Sequence, residues 1–168
     1  IVDAARWIDR PENHLETLHV IAGESHVDAP VEVIERALAG AVRPGDEPSS
    51  RAGTFFRGAA TFPWRSHAVW FLTQMLRWGQ IESPVDFAAV SAAVYRCDVY
   101  REAAAPLGIP VPLIDAKDEG VHDGPWLLGA ATSPIVMGAD AFLDGRTFDP
   151  DQPLAYLAAL GGAGICSH

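Results

Sequence analysis

One stretch decides the fold: Thr61-Phe-Pro-Trp-Arg-Ser-His-Ala-Val-Trp-Phe-Leu-Thr-Gln-Met-Leu-Arg-Trp-Gly79, which holds three of the chain's five tryptophans. Pro63 presets the backbone for a first helical turn, and Ser66 is placed to cap the turn that follows. Gly79 can adopt the left-handed conformation that ends many helices. The stretch therefore predicts a long helix that starts after Pro63 and ends at Gly79.

The predicted helix carries a narrow polar seam. At about 100° per residue, one face of about 120° collects six side chains: Ser66, His67, Trp70, Thr73, Gln74 and Arg77. Apolar side chains fill the rest of the circumference, so we expect a mostly buried helix. Two interpretations of the seam stay open. Either it packs on a neighbouring element, or His67 and Arg77 contact an anionic ligand or a partner.

The composition is that of a folded, acidic chain. It has 168 residues, of which 49% are hydrophobic and 20% charged, enough for one ordinary domain with a core. The formal net charge of −10 argues against a surface that coats DNA or RNA, because such a surface needs clustered cations. It also disfavours binding to anionic lipid. We therefore expect no direct nucleic-acid partner.

Turn signals divide the chain into four parts. We expect helices over residues 1–108, an irregular arm over 109–139, terminal helices over 140–160 and a tail over 161–168. Short strands are expected near Val111–Ile114 and Pro134–Met137. Asp98 is expected to cap a helix, and another short helix is expected over Asp140–Asp144. Because the first residues already read like the middle of a helix, we expect a fragment or a processed chain.

No motif supplies metal-binding chemistry. The six histidines lack metal-ligand spacing, and Cys97 and Cys166 lie outside any C-x-x-C pattern, so no metal site is expected. Whether the two cysteines pair stays open. The acidic run Asp115-Ala-Lys-Asp-Glu-Gly120 fails the calcium-loop pattern, since Lys117 stands at its third position, and a solvated loop is expected instead. His122 is expected to form a surface pair with the neighbouring Asp123.

Catalytic machinery is not visible either. The Gly23-Glu-Ser-His26 stretch lacks the second glycine of a nucleophile elbow, and Gly161-Gly-Ala-Gly164 lacks the lysine of a phosphate loop. No activated nucleophile stands out. We therefore expect no enzyme, no catalytic residue and no cofactor.

Three blocks of sequence resemble a known family. They are Phe62-Pro-Trp-Arg-Ser-His-Ala-Val-Trp-Phe-Leu-Thr-Gln-Met-Leu-Arg-Trp-Gly79, Tyr95-Arg-Cys-Asp-Val-Tyr-Arg-Glu-Ala-Ala-Ala-Pro-Leu-Gly-Ile109 and Phe142-Leu-Asp-Gly-Arg-Thr-Phe-Asp-Pro-Asp-Gln-Pro-Leu-Ala-Tyr-Leu157. In order and spacing they resemble the C-terminal region of the nitrate- and bicarbonate-binding proteins of ABC transporters. With Pro30-Val-Glu-Val-Ile34, the resemblance spans nearly the whole chain.

The resemblance implies a segment that is mainly α, the C-terminal part of a two-lobed α/β fold of the periplasmic-binding-protein type that closes on an oxyanion. The family's anion-contacting residues would lie upstream, in an N-terminal part that we expect to be missing. The resemblance therefore assigns no ligand residue here. His67 and Arg77 lie in the first block and remain the ligand-binding candidates, interpreted as structural first.

The implied function is that of the substrate-binding component of an ABC transporter for a small oxyanion, with nitrate or nitrite as the first choice. Such a component is periplasmic or membrane-associated and works with a permease. A sister group implies an alternative, a cytoplasmic nitrate/nitrite sensor that sequesters an antiterminator protein. The two alternatives stay open at the level of sequence.

Overall fold

The computed structural model describes residues 1–39 and 54–160 of the chain. The chain divides into two compact units, Ile1–Thr61 and Phe62–His168. The expected tail over 161–168, which includes Cys166, lies outside the described residues, so the pairing of the cysteines stays open. The prediction that the segment is mainly helical is confirmed, because seven α-helices and one ribbon of two short strands make up its regular structure within the described ranges.

The first unit is helical. Its described residues form the helices α1 (Val2–Ile8), α2 (His14–Ala22) and α3 (Val31–Ala39), and 3-10 turns span Pro11–Asn13 and Arg57–Ala59. Helix α2 packs against α3. Leu18 of α2 and Ile34 of α3 are buried, as are two residues of α1. This unit therefore has a small core of its own.

Asp9 anchors the last segment of the first unit. Its carboxylate accepts hydrogen bonds from the backbone N–H groups of Phe55, Phe56 and Arg57 at 2.8, 2.9 and 2.8 Å. Burial raises the pKa of Asp9, but these N–H groups and the Arg57 charge outweigh it, so the pKa lies below its usual value. The segment that follows residue 53 is thus tied to the end of α1.

The second unit is built around α4 (Arg65–Arg77). Helix α4 packs against α5 (Phe87–Val94) and α7 (Pro153–Ala159), while α6 (Cys97–Ala104) runs into a 3-10 turn. The buried apolar residues of this unit come from the helices and from the arm: Phe62, Trp64, Ala68, Val69, Cys97, Ala104, Ile109, Val111, Leu128, Met137 and Phe148. The Phe62 ring forms T-shaped contacts with the rings of Trp64 and Tyr100. The core of this unit therefore forms where the start of α4 meets α6 and the arm.

The predicted end of α4 is confirmed, and two predicted caps are wrong. Gly79 has a φ of 68° and comes directly after Trp78, the residue that caps the C-terminus of the helix, as expected. Ser66 does not cap α4, because its hydroxyl donates to a carboxylate of the arm instead. Asp98 does not cap α6 either. The helix begins one residue earlier, and the Asp98 carboxylate pairs with the Arg96 guanidinium.

The arm after Ile109 is irregular and holds one antiparallel ribbon, β1 (Trp126–Leu128) and β2 (Ile135–Met137), with Leu127 opposite Val136. The strand expected near Pro134–Met137 is confirmed. The strand expected over Val111–Ile114 is wrong, since only Pro112 pairs there, in an isolated bridge with Ala131. Proline has no N–H to donate to a ladder, so Pro110 and Pro112 prevent a longer strand.

The helix expected over Asp140–Asp144 does not form, and α7 is the one terminal helix within the described residues. The Asp140 carboxylate accepts a hydrogen bond from the backbone N–H of His122, and this long-range tie replaces a local helical turn. Phe148 exchanges both backbone hydrogen bonds with Glu119 at 2.8 and 2.9 Å. The segment around Phe148 is therefore joined to the arm.

Over the ranges that the structure describes, no helix combines the length and the apolar character needed to cross a membrane.

Candidate functional site

Three residues of the polar seam of α4 point into the protein. Ser66, Thr73 and Gln74 are each at most 3% exposed. The Thr73 hydroxyl donates to the carbonyl of Val69 at 2.6 Å, and the Ser66 hydroxyl donates to Glu119 Oε1 at 2.7 Å. The bond to Glu119 bears out the first interpretation of the seam, packing on a neighbouring element, for Ser66, while burial alone shows that Thr73 and Gln74 are covered.

The two candidate ligand residues lie at opposite ends of α4 and are both exposed. They are ten residues apart, so the helical rise separates them by about 15 Å. His67 Nε2 lies 3.3 Å from Glu119 Oε1, and Arg77 Nη1 donates weakly to Gln74 Oε1 at 3.4 Å. The structure does not bring them together, and a role of either in ligand binding stays a prediction.

A buried ion network lies against the start of α4. The chain's single lysine, Lys117, bonds to Glu119 and, at 3.2 Å, to Asp140 Oδ2. The exposed fractions of these three side chains are 9%, 7% and 14%. The Lys117 ammonium also lies 5.8 Å from the centre of the Trp64 ring. The expectation of a solvated loop over Asp115–Gly120 is therefore wrong for Lys117 and Glu119.

A histidine borders each carboxylate of this network. His67 lies beside Glu119, and His122 Nδ1 lies 3.1 Å from Asp140 Oδ2. His122 also stacks flat on Trp126, with ring centres 4.0 Å apart. The predicted surface pair of His122 with Asp123 is thus replaced by a pair with Asp140, which lies 18 residues further along the chain.

Both carboxylates stay ionised in this setting. Burial raises the pKa of Glu119, but hydrogen bonds from His67, Lys117 and Ser66 outweigh burial, so the pKa lies below its usual value. Burial also raises the pKa of Asp140. There the backbone and ring of His122, together with Lys117, outweigh it and lower the pKa. The protein therefore holds two nearly buried negative charges around one ammonium group.

The charge of this network suits a structural tie better than an oxyanion site. With neutral histidines, one positive and two negative charges give a net charge of −1. An oxyanion needs surplus positive charge or free donors, and the Lys117 ammonium is already shared by two carboxylates. The network instead joins the start of α4, the arm and residue 140.

A second ionic contact holds the beginning of the arm. Asp115 accepts from Arg65 Nη1 at 2.9 Å and from Arg101 Nη2 at 2.6 Å. The Arg101 guanidinium also donates to the carbonyls of Pro112 and Ile114. This contact carries a net charge of +1, but most donors of Arg101 are already occupied by the arm. It fixes the arm between α4 and α6.

Cys97 is fully buried beside this contact, and its thiol donates to the carbonyl of Pro63 at 3.2 Å. Burial, followed by the charge of Asp115, raises the pKa of the thiol. A buried thiol that stays protonated is a poor nucleophile. Cys97 therefore acts as a packing residue between α6 and the start of α4.

Sequence reasoning missed Glu119, Asp140 and Ser66 as members of one network. One signal was available, because the chain's only lysine lies between acidic residues. The partners were not available, since Ser66 and Glu119 are 53 residues apart. Among the described residues, no three histidine, cysteine, aspartate or glutamate side chains are grouped so that they could hold a metal ion.

Nearly the whole chain is similar in sequence to one part of two larger known proteins. The chain is 31% identical to the nitrate/nitrite binding protein NrtA of Synechococcus elongatus, covering 95% of this chain and 33% of that protein. It is 28% identical to the bicarbonate-binding protein CmpA of the same organism, covering 95% of this chain and 34% of that one. The chain thus spans about a third of the length of these relatives.

The chain also matches an ATP-binding protein of nitrate import and a solved structure. The chain is 26% identical to the nitrate import ATP-binding protein NrtC of Synechocystis, over 94% of this chain and 21% of that protein. The crystal structure of the periplasmic nitrate-binding protein NrtA from Synechocystis PCC 6803 matches with a TM-score of 0.67 and 27% identity, over 95% of this chain and 38% of that one. No protein-family model matches. The resemblance predicted from the sequence is nonetheless confirmed: nearly the whole chain is homologous to about a third of the nitrate/nitrite- and bicarbonate-binding proteins.

Proposed function

We propose that this chain forms part of the substrate-binding component of an ABC transporter for a small oxyanion, with nitrate or nitrite as the ligand. The observation that supports this most is the likeness to NrtA in both sequence and fold over nearly the whole chain. The relatives are named for binding and import, so the proposed activity is reversible binding, without catalysis.

Within that component, we assign this chain a supporting role. Its two ionic ties hold the arm against α4 and α6, and each cationic group in them is already paired with a carboxylate of the arm or of residue 140. We propose that the chain corresponds to the C-terminal part of the binding protein. The groups that contact the anion would then lie in the remaining part of the fold, and His67 and Arg77 would act in packing rather than in ligand binding.

The proposed partners and location follow from the same relatives. A permease and an ATP-binding subunit would receive the anion, in line with the match to an import ATP-binding protein. The location would be the periplasm or the membrane surface, as the name of the solved relative suggests. No observation favours the alternative of a cytoplasmic sensor.

The decisive experiment is calorimetric titration of the whole protein that carries this chain with nitrate, nitrite, bicarbonate and a sulfonate. We expect saturable binding of nitrate or nitrite, with weaker heat from the other anions. Saturable binding of bicarbonate alone would change the assigned anion and keep the transporter class. Absence of heat with every anion would overturn the proposed function.

A further inference from the structure

Two Asp-Gly bonds occur in the sequence, Asp123–Gly124 and Asp144–Gly145. This dipeptide has a chemistry of its own, because the backbone nitrogen of the glycine can attack the carboxyl carbon of the preceding aspartate. Glycine permits the attack best, since no Cβ hinders its nitrogen and its backbone has wide conformational freedom. The two bonds have the same composition, so their surroundings in the fold decide which of them reacts.

The first bond lies in an open part of the arm. Asp123 is exposed, and its carboxylate takes part in no hydrogen bond or ion pair with the described residues. Its expected partner, His122, contacts Asp140 instead. The N–H of Gly124 donates no backbone hydrogen bond within the same part of the chain, and a Cβ built on Gly124 would meet nothing within 4 Å. Both reacting groups can therefore approach each other without breaking a contact.

The second bond is held on both sides. The N–H of Gly145 donates to the carbonyl of Phe142 at 3.0 Å. The Asp144 carboxylate accepts from the N–H of Arg146 at 3.1 Å, and its other oxygen lies 3.5 Å from Arg146 Nε. Before this bond could react, the nitrogen and the carboxylate would both have to leave their partners.

We infer that Asp123–Gly124 is a site of spontaneous isomerisation to isoaspartate, and that its product is a substrate for enzymes that methylate isoaspartyl carboxylates. In the first step, the Gly124 nitrogen bonds to the side-chain carboxyl carbon of Asp123. The amide proton leaves with the hydroxyl of the carboxylic acid as water, and a five-membered cyclic imide remains.

In the second step, water opens the imide at one of its two carbonyl carbons. Cleavage of the bond from nitrogen to the side-chain carbon restores aspartate. Cleavage of the bond from nitrogen to the main-chain carbon gives isoaspartate, which has a free α-carboxylate. The water that was lost in the first step returns in the second, so the reaction needs no oxidant, reductant or other co-reactant.

The product would alter the backbone between two fixed points. His122 precedes the site, and its N–H and carbonyl form hydrogen bonds with Asp140 at 2.8 and 2.9 Å. Trp126 follows the site, where it stacks on the His122 ring and begins β1. Isoaspartate adds one carbon to the main chain between these residues. The stack of His122 on Trp126 would therefore have to shift.

The test is incubation of the whole protein that carries this chain, for several weeks at mildly acidic pH and physiological temperature. Peptide mass spectrometry with electron-transfer fragmentation then distinguishes isoaspartate from aspartate at each position. We expect isoaspartate to form at position 123 roughly tenfold faster than at position 144, or more, because two hydrogen bonds retard the second bond. An isoaspartyl methyltransferase with a labelled methyl donor should label the peptide that contains position 123.

Two variants and one unfolded sample are the controls. Asp123→Glu keeps the charge of an exposed side chain, and it should abolish the reaction there because the five-membered ring cannot form. Gly124→Ala should slow the reaction, since a methyl group then hinders the attacking nitrogen, and the site has room for that group. In concentrated guanidinium chloride the contacts of Asp144 and Gly145 are lost, so the rates at the two positions should converge.

Three results would overturn the inference: no isoaspartate at position 123 in the folded protein, equal rates at the two positions in the folded protein, or methyl labelling that Asp123→Glu leaves unchanged. None of these measurements involves an anion. The isomerisation test and the anion titration can therefore fail or succeed independently of each other.

Discussion

At the scale of single residues, the least replaceable side chain is Lys117. It is the ammonium group shared by two carboxylates that are 7% and 14% exposed. Removing one partner from a buried ionic contact leaves an uncompensated charge, which typically costs about 3–5 kcal/mol. Lys117→Met should therefore lower the free energy of unfolding in urea by about that amount.

Arg96→Met is the matched control for this prediction, because Arg96 pairs with Asp98 on the surface, where both side chains are more than half exposed. Surface pairs contribute little, so the control should leave the midpoint of unfolding almost unchanged. The double variant Lys117→Met/Glu119→Leu should recover part of the loss, since it removes a charge together with its partner. Equal midpoints of unfolding for Lys117→Met and Arg96→Met would contradict the role of Lys117 as the shared cation of a buried ion network.

Glu119 gives the second residue-scale prediction, which concerns pH. Its pKa in the folded protein lies below the ordinary value of 4.5. In the acidic range the unfolded state therefore binds more protons than the folded state, and stability rises with pH. The stability that ionised Glu119 contributes is fully present above its pKa in the unfolded state, and it is lost as the pH falls through its pKa in the folded state.

Glu119→Gln should therefore flatten the fall in unfolding free energy between about pH 6 and pH 3, while it lowers stability at neutral pH. Glu102→Gln removes the same charge from an exposed side chain of α6 and serves as the control. Urea unfolding at several pH values measures both slopes. If the unfolding free energies of Glu119→Gln and of the unmodified chain fell in parallel with pH, Glu119 would not contribute to the loss of stability in acid.

At the scale of elements, the arm and the segment around Arg146 approach each other most closely at Gly120 among the glycines described. Its φ is +83°, and a Cβ there would lie 2.4 Å from the backbone carbonyl oxygen of Arg146. That oxygen cannot move without shifting the strand-like segment that pairs with Glu119. Gly145 also has a positive φ, of +67°, but a Cβ there would meet nothing within 4 Å. A comparison of substitutions at the two glycines therefore distinguishes the cost of steric overlap from the cost of backbone strain.

Gly145→Ala should cost about 1 kcal/mol through its backbone conformation alone. Gly120→Ala should cost about 1–3 kcal/mol more, because overlap with backbone is added. Chemical unfolding of both variants gives the difference directly. If Gly120→Ala were no worse than Gly145→Ala, the arm would not cross residue 146 as closely as the structure shows.

The elements also show what the sequence could predict. The bounds of α4 and its end at Gly79 follow from local signals, namely a proline, a periodic pattern and a glycine. The burial of Lys117 and Glu119 in the acidic run cannot be predicted from local signals, because their partners Ser66 and Asp140 lie far away along the chain. Likewise, β1 has no alternating pattern, and its pairing with β2 becomes visible only in three dimensions.

Which side of α4 is exposed could not be predicted from the sequence either, for a different reason. Periodicity separates a polar side of a helix from an apolar one, but here half of the polar side is buried, and Ser66 has a specific partner there in Glu119. Phe71 and Trp78 are then left outside. A pattern alone cannot show which side is covered when polar residues have buried partners of their own.

At the scale of the whole molecule, the last prediction concerns anion binding by the chain itself. If its cations serve as structural ties, the 168-residue chain should bind nitrate far more weakly than the whole protein does. Calorimetry with nitrate on the chain alone should give no saturable heat at concentrations that saturate the whole protein. The His67→Ala/Arg77→Ala variant of the whole protein should keep nitrate affinity within roughly threefold, because neither residue would contact the anion. Tight binding by the chain alone, abolished by that double variant, would instead place the anion site on α4.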